Sequence, residues 1–380
     1  MNEVKTMFNT PLLPEFNTSP AVFAVGNTYQ IMVPVKSQLL FFVEVNGKKY
    51  YDHSNGIIRS AVSTHRVTVP MAELDKAGEY TVGYRKIIER KPYFSEVEEP
   101  VSQTYKFRPV PTNGKINLIH LSDTHGNSAI TVEASSYYGE DLDLLVLNGD
   151  TLDHSGTVDN FMVVYKLCEG LTGGQRTCVF SRGNHDTRGV CAEMIADHTP
   201  TRNGVSYFTF RAGSIWALIV DCAEDKPDEH EAYGHTNCCH EFRLEETEYI
   251  KEVIADPDNE YNADGVKYRL VISHVPFTYI QPAPFDIEQE LYAEWARLIG
   301  AGIKPQLMLC GHLHTYEISH KGGRLDNGAG QICPVVVGAK PLYKENRFVS
   351  CAVTLDGDSA DVKFIDNVTG VVGGEVIALE

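Results

Sequence analysis

Two rhythms of apolar and polar positions divide the chain. From about residue 16 to 110 the apolar residues come in short runs with frequent turn signals. Residues 29–35 alternate, 39–45 are apolar and aromatic, and Asn46-Gly47 stands between 41–45 and 48–51 as a two-residue hairpin turn. Further strands are predicted at 66–69, 79–85 and 103–107. This pattern predicts a small all-β sandwich over residues 1–112. Pro109-Val110-Pro111-Thr112-Asn113-Gly114 then breaks the rhythm and reads as a linker. Beyond it, continuous apolar runs of strand length at 116–122, 142–148, 177–181, 269–273 and 306–310 alternate with helix-length stretches at 158–169, 241–254 and 287–299. Strands without alternation are those covered on both faces, so residues 113–380 read as an α/β domain. A hairpin over 207–210 and 214–221, turning at Ala212-Gly213, and a strand-rich tail at 332–364 complete two sheets packed face to face with helices outside, an α/β/β/α sandwich.

Composition narrows the class. A chain of 380 residues exceeds the usual size of one hydrophobic core, and 43% apolar with 22% charged residues is ordinary for a globular protein. The longest apolar runs, 215–220 and 144–147, fall far short of the ~20 residues a membrane-spanning helix needs. Residues 1–16 lack the apolar core of a secretory signal, so a cytoplasmic location is expected. Nine cysteines, none before Cys168 and without regular spacing, read as reduced thiols. The vicinal pair Cys238-Cys239 has no second Cys/His pair at zinc spacing and reads as structural. A formal charge of −18 disfavours duplex nucleic acid as a partner. A small phosphate ester is a different case, because bound dications reverse the field locally.

Candidate chemistry lies where the five apolar strands end. The first ends in Asp123-Thr124-His125-Gly126, the second in Asn148-Gly149-Asp150-Thr151-Leu152-Asp153, and the third in Arg182-Gly183-Asn184-His185-Asp186. The fourth ends at Ser273-His274 and the fifth at Gly311-His312-Leu313-His314. Carboxyl ends of neighbouring strands in an open α/β sheet are where ligands bind, so clusters far apart in sequence converge there.

These five clusters, in this order, resemble the calcineurin-like metallophosphoesterase superfamily, whose pattern is Asp-x-His, Gly-Asp, Gly-Asn-His-Asp/Glu, His, Gly-His-x-His. All five are intact between Asp123 and His314. The resemblance implies that Asp123, His125, Asp150 and His314 hold one metal, while Asp150, Asn184, His274 and His312 hold a second. Asp150 is the carboxylate suited to bridge the two. Nitrogen and oxygen donors without thiolate suit two divalent or trivalent transition-metal ions, Mn, Fe, Zn or Co. Two such ions ~3.5 to 4 Å apart lower the pKa of a shared water enough to supply hydroxide near neutral pH and neutralise the phosphoryl oxygens.

The resemblance also makes His185 the general acid that protonates the leaving alkoxide, with Asp153, in preference to Asp186, as its orienting carboxylate. Asp153 stands where purple acid phosphatases carry a metal-binding tyrosine, so their charge-transfer Fe(III) site is not expected. His154 stands where protein serine/threonine phosphatases carry a phosphate-binding arginine, which disfavours that branch and makes His154 a substrate-contact candidate. Arg182 reads either as a phosphate contact or as half of a structural ion pair. Arg188 reads either as a phosphate contact or as a cap of its own helix. Residues 74–82 resemble the turn-then-tyrosine entry of immunoglobulin-like and fibronectin type III strands, and an N-terminal sandwich is also reminiscent of purple acid phosphatases.

Other histidines read differently. His120 is a core histidine, and His230, His235 and His240 lie in a polar segment that reads either as a solvated loop or as the lining of a substrate entrance. The functional expectation is hydrolysis of a phosphomonoester or phosphodiester by a binuclear metal centre. The alternative from another class is a binding or scaffold protein that uses the N-terminal sandwich, with the metal site structural or degenerate. The intact ligand set counts against degeneracy.

Overall fold

Where apolar residues alternate the strands are half buried, and where they run on the strands are covered on both sides. Leu39–Val45 buries every second residue, and the Asn46-Gly47 turn, with both φ positive, pairs Val45 with Lys48 and Glu44 with Lys49. Ile116–Leu121, Leu144–Asn148 and Thr177–Ser181 are almost wholly buried and pair in parallel in that order. A computed structural model describes Phe8, residues 11–328 and residues 330–379; residues 1–7 and 9–10 of the expected N-terminal span lie outside the described residues.

Those three strands form the centre of one large sheet. On one side it continues antiparallel through Arg347–Asp356, Ser359–Asp366 and Gly370–Ala378. A second sheet runs Phe208–Ala212, Ile215–Val220, Tyr268–Ser273, Leu307–Cys310, Val335–Gly338 and Tyr316–Ser319. The two sheets meet through Leu118, Val146 and Val179 on one side and Ala217, Leu270, Ile272 and Leu309 on the other, all fully buried. The helix Met162–Thr172 covers the outer face of the first sheet, and Cys239–Ala255 and Gln289–Gly302 cover that of the second. This is the expected α/β/β/α sandwich, preceded by all-β strands. No helix is long and apolar enough to cross a membrane among the described residues. All nine cysteines are free.

The N-terminal sandwich is present, but it does not stand apart. Ala21–Val25 pairs in parallel with Thr177–Ser181, and Thr28–Pro34 and Thr64–Pro70 extend the same sheet outward. Val101–Lys106, Glu79–Glu89, Leu39–Val45 and Lys48–Tyr51, with Glu96–Val97, make a separate sheet, and His53–Ser54 pairs with Ile57–Ile58 in a two-stranded one. Phe41, Val43 and Val82 of the former pack with Ile31, Val67 and Val69 of the large sheet in one core. One layer of the N-terminal strands is therefore the continuation of the large sheet. The physical reason is the edge of Thr177–Ser181, whose residues are all buried and whose outer backbone groups need partners. The linker is packed as well, since Arg108 N–H donates to Gln175 O, Ser214 N–H donates to Pro111 O, and Val110 is buried.

A chain beginning at Asn113 is accordingly expected to aggregate. It would expose the Thr177–Ser181 edge together with the core that Phe23 and Ala21 complete beneath the helix Met162–Thr172. Size-exclusion chromatography of the shortened chain tests this, and a soluble monomer would refute the shared-layer account.

Candidate metal centre

The five clusters arrive at one place because the strands carrying them are neighbours in two facing sheets that end together. Their loops are then zipped to one another. Asp123 N–H donates to Gly149 O, His125 N–H to Asp150 O and Gly126 N–H to Thr151 O, each at 3.0 Å. Gly311 N–H donates to His274 O at 2.8 Å, and His312 N–H reaches Asp123 Oδ1 at 3.0 Å. Two glycines are required by close approach. A Cβ on Gly149, where φ is +79°, would lie 2.4 Å from the His274 ring, and one on Gly183 would lie 2.3 Å from the Asp150 nitrogen.

Asp123, His125, Asp150, His312 and His314 all hold positive φ, between 41° and 67°. Asp and His tolerate that region better than most side chains, yet each such residue costs on the order of 1 kcal/mol. Five of them in one site mark where packing has been arranged around chemistry.

Donor atoms of Asp123, His125, Asp150 and His314 lie within 4.8 Å of one another and could hold a metal ion. Those of Asp150, His274 and His312 do the same, and Asp150 is common to both groups. His312 Nδ1 is 3.0 Å from Asn184 Oδ1, which brings the asparagine into the second group. His274 Nε2 faces Asp150 Oδ2 at 3.2 Å, and His314 Nε2 faces Asp123 Oδ1 at 3.4 Å.

The residues fit a cation on three observations. His274 donates Nδ1–H to Asn148 O at 2.7 Å, which fixes the ring so that its buried Nε2 points at Asp150 Oδ2, the direction from which a cation would be held. His125 Nε2 and His314 Nε2 approach to 3.1 Å, close to the ~3 Å between two donors set at right angles about 2.1 Å from one ion. Burial pushes His125 and His312 down to about 4, so both imidazoles are neutral donors at physiological pH. His274 behaves oppositely. Burial disfavours its charge, but Asp150, with Asp123 behind it, outweighs burial and holds it up to about 10. That proton occupies the place a dication's charge would take.

His185 lies beside this cluster, partly exposed. Its main-chain N–H donates to Asp150 Oδ1 at 2.8 Å, and its ring Nδ1 donates to the main-chain carbonyl of Asp153 at 2.9 Å. The Asp153 carboxylate is 3.8 Å from Nδ1 and largely exposed. The ring's hydrogen bond is thus made to the main-chain oxygen of Asp153, with the Asp153 carboxylate behind it within ion-pair distance. Asp186 is fully buried and accepts the N–H groups of Leu152 and Gly183, bracing the loops. His125, Asp153 and His185 also form a third group able to hold a metal, so a ligand role for His185 is a competing assignment on the same geometry.

The three substrate-contact candidates separate. Arg182 donates to Asp221 at 2.7 Å and stacks on Phe242, so of its two readings the ion pair is the one the side chain makes. His154 is exposed and its Nδ1 accepts the Gly156 N–H, closing its own turn; no hydrogen bond joins it to the cluster among the described residues. Arg188 does reach the site. Its Nη1 donates to His185 Nε2 at 2.9 Å. His120 is buried against Asn148 Nδ2, and burial pushes it down to about 3, as a core histidine requires. His240 pairs with Glu288 on the surface.

Three residues at the site carry no local signal in the sequence. Glu224 clamps Arg188 through Nε at 2.9 Å and Nη2 at 2.8 Å and also accepts from Thr187 and Tyr233. Asp225 accepts from Asn184 Nδ2 at 3.3 Å, which turns Asn184 Oδ1 toward His312. The Tyr343 hydroxyl donates to the carbonyls of Thr124, at 2.6 Å, and Asp123, at 3.2 Å, tying down the loop that holds two of the positive-φ residues.

A two-sheet sandwich that gathers carboxylates and imidazoles at its strand ends in this pattern is a metal-dependent phosphoester hydrolase. The chain belongs to the calcineurin-like phosphoesterase family, whose model matches residues 116–316, just over half its length. No curated protein matches it. Among solved structures it is similar to the purple acid phosphatase PPD1 from seeds of yellow lupin (Lupinus luteus), at 12% identity and a TM-score of 0.59, over 96% of this chain and 75% of that one. It is also similar to PhoD, at 10% identity and a TM-score of 0.57, over 97% of this chain and 90% of that one. At such identities the likeness extends to the fold alone.

Proposed function

We propose that the protein hydrolyses an organic phosphate ester with two transition-metal ions, one held by Asp123, His125, Asp150 and His314, the other by Asp150, Asn184, His274 and His312. The observation that carries this reading is that Asp150 belongs to both groups of converging donor atoms. Nitrogen and oxygen donors without thiolate favour Mn, Fe, Zn or Co. When bound, such ions supply Lewis acidity toward phosphoryl oxygens and an activated water near neutral pH.

The remaining work falls to side chains of this protein. Arg188, fixed in one plane by its two-point clasp with Glu224, offers a guanidinium edge to a phosphoryl oxygen. The same guanidinium also lies against His185 Nε2 at 2.9 Å. A phosphoryl oxygen competing for Arg188 opens Nε2 to take a proton and pass it to the leaving alkoxide. None of these side chains comes from residues 1–112, so the catalytic function is assigned to 113–380, with the N-terminal strands as its structural support.

Exhaustive chelation is expected to abolish hydrolysis of nitrophenyl phosphate and bis-nitrophenyl phosphate, and Mn, Fe, Zn or Co to restore it. Turnover that survives verified metal removal would sink the reading. The same pair of substrates separates monoesterase from diesterase.

A further inference from the structure

At Arg188, whose guanidinium reaches His185, the surface opens into a cleft of about 800 Å³ between two loops, one at 187–193 and one at 224–237. We propose that this cleft is the leaving-group subsite, and that it takes a polyhydroxylated alcohol, a free sugar or the ribose of a nucleoside. The inference rests on the phosphoesterase reading above and names the substrate class of that same site.

Position is the first argument. The leaving oxygen must lie within reach of the group that protonates it, and Arg188, which touches His185 Nε2, is also a wall of the cleft. An alcohol whose oxygen meets His185 therefore extends into this space. Size is the second. A volume of this order accommodates a whole organic molecule, whereas a phosphate with a methyl or ethyl substituent would leave most of it to water.

Lining chemistry is the third argument. Arg188, Glu193, Lys226, Tyr233, Thr236 and Asn237 bring cations, anions, hydroxyls and an amide into the cleft wall. Arg188, Lys226, Tyr233 and Thr236 are already paired within the protein, and Val190, Ala192 and Ala232 add apolar wall, but the Glu193 carboxylate and the Asn237 amide are left for a ligand to meet, which a ring bearing hydroxyls on an apolar face does and an acyl chain does not. Preorganisation is the fourth. Glu224 is held by Arg188, Thr187 and Tyr233, Lys226 donates to Asp225 at 2.6 Å, and Ser155 binds both Arg188 O and Cys191 N–H. These bonds tie both loops to the protein, which lowers the ordering cost of binding.

In the balanced reaction water adds to phosphorus and gives up one proton to solvent, the bond from phosphorus to the alcohol oxygen breaks, and the alcohol leaves with a proton from His185, which is reprotonated from solvent before the next turnover.

Primary alkyl phosphates share nearly the same intrinsic reactivity, so differences among them report on the cleft. Methyl phosphate, glucose 6-phosphate and adenosine 5′-monophosphate, each as monoester and as methyl diester, are to be compared with metal-loaded protein. The sugar or the nucleoside ester is expected to exceed the methyl ester at least tenfold in kcat/KM, and the better of the two identifies the source of the ribose-like group. Filling the cleft by Ala232→Trp or Asn237→Trp should bring that ratio down at least tenfold, with circular dichroism confirming the fold of each variant. A ratio near one in the wild type, or one unmoved by both variants, would overturn the subsite while leaving the phosphoesterase reading intact. Absence of metal-dependent turnover of every ester, nitrophenyl esters included, would overturn both.

Discussion

Replacing Asp150 by alanine is expected to cost the protein both its metal and its activity. Asp150 is the one carboxylate common to the two donor groups, and its oxygens also receive the His185 N–H and face His274 Nε2. Without it each group loses a negative donor, and the imidazoles left behind cannot balance two dications in a buried site. The expected loss of kcat/KM is about 10³-fold or more, ~4 kcal/mol of transition-state stabilisation. Metal content measured by mass spectrometry on the same samples should fall in parallel. Asp150→Asn keeps the volume and one oxygen, so it separates lost charge from lost shape. An alanine variant that keeps wild-type metal content and activity would remove Asp150 from the bridge.

His185→Asn is expected to behave differently, because this histidine is assigned to the leaving group and not to the metals. Metal content should stay at the wild-type level. Activity on an alkyl ester should fall by ~10²- to 10⁴-fold, the usual contribution of a positioned acid. On a nitrophenyl ester the damage should be small, since that oxide leaves without a proton. Asparagine preserves the main-chain bond to Asp150 Oδ1, so the loop that carries Asn184 is not expected to move. The competing outcome is specific, because His185 also stands within a possible donor group with His125 and Asp153. Loss of metal from the variant, or equal damage on both esters, would make His185 a ligand or a structural residue.

The contrast between the ligand residues and their supports explains how much of this site could be read from the chain. Each proposed ligand sits at the end of a mostly apolar run, and such runs are legible because burial on both faces admits few polar positions within them, His120 being one. Asp123, Asp150, Asn184, His274 and His312 are therefore found by a local pattern, strand followed by metal-binding residue. Glu224, Asp225 and Tyr343 have no such pattern. Glu224 meets Arg188 across 36 residues and Tyr343 meets Thr124 across 219, and nothing in the residues around them distinguishes a clamp from an ordinary surface acid or phenol. Arg182 shows the same limit, because an arginine before Gly-Asn-His serves a phosphate or a neighbour equally well until Asp221 is found beside it.

By itself the sequence determined most strands, though not Ala21–Val25 or Gly370–Ala378, together with the order of the five clusters, the α/β/β/α architecture and the donor types, all of which follow from side-chain periodicity and from what stands at the end of each apolar run. Only the tertiary structure decided that the N-terminal sandwich shares a layer with the catalytic sheet, that the main chain of Asp153 holds His185, and that Arg188 faces it from a Glu224 clasp. The reason is physical. Periodicity reports which face of an element is buried, whereas pairing of Ala21–Val25 with Thr177–Ser181, or of a guanidinium with a distant carboxylate, depends on which open edge or unmet charge lies nearest once the chain has collapsed.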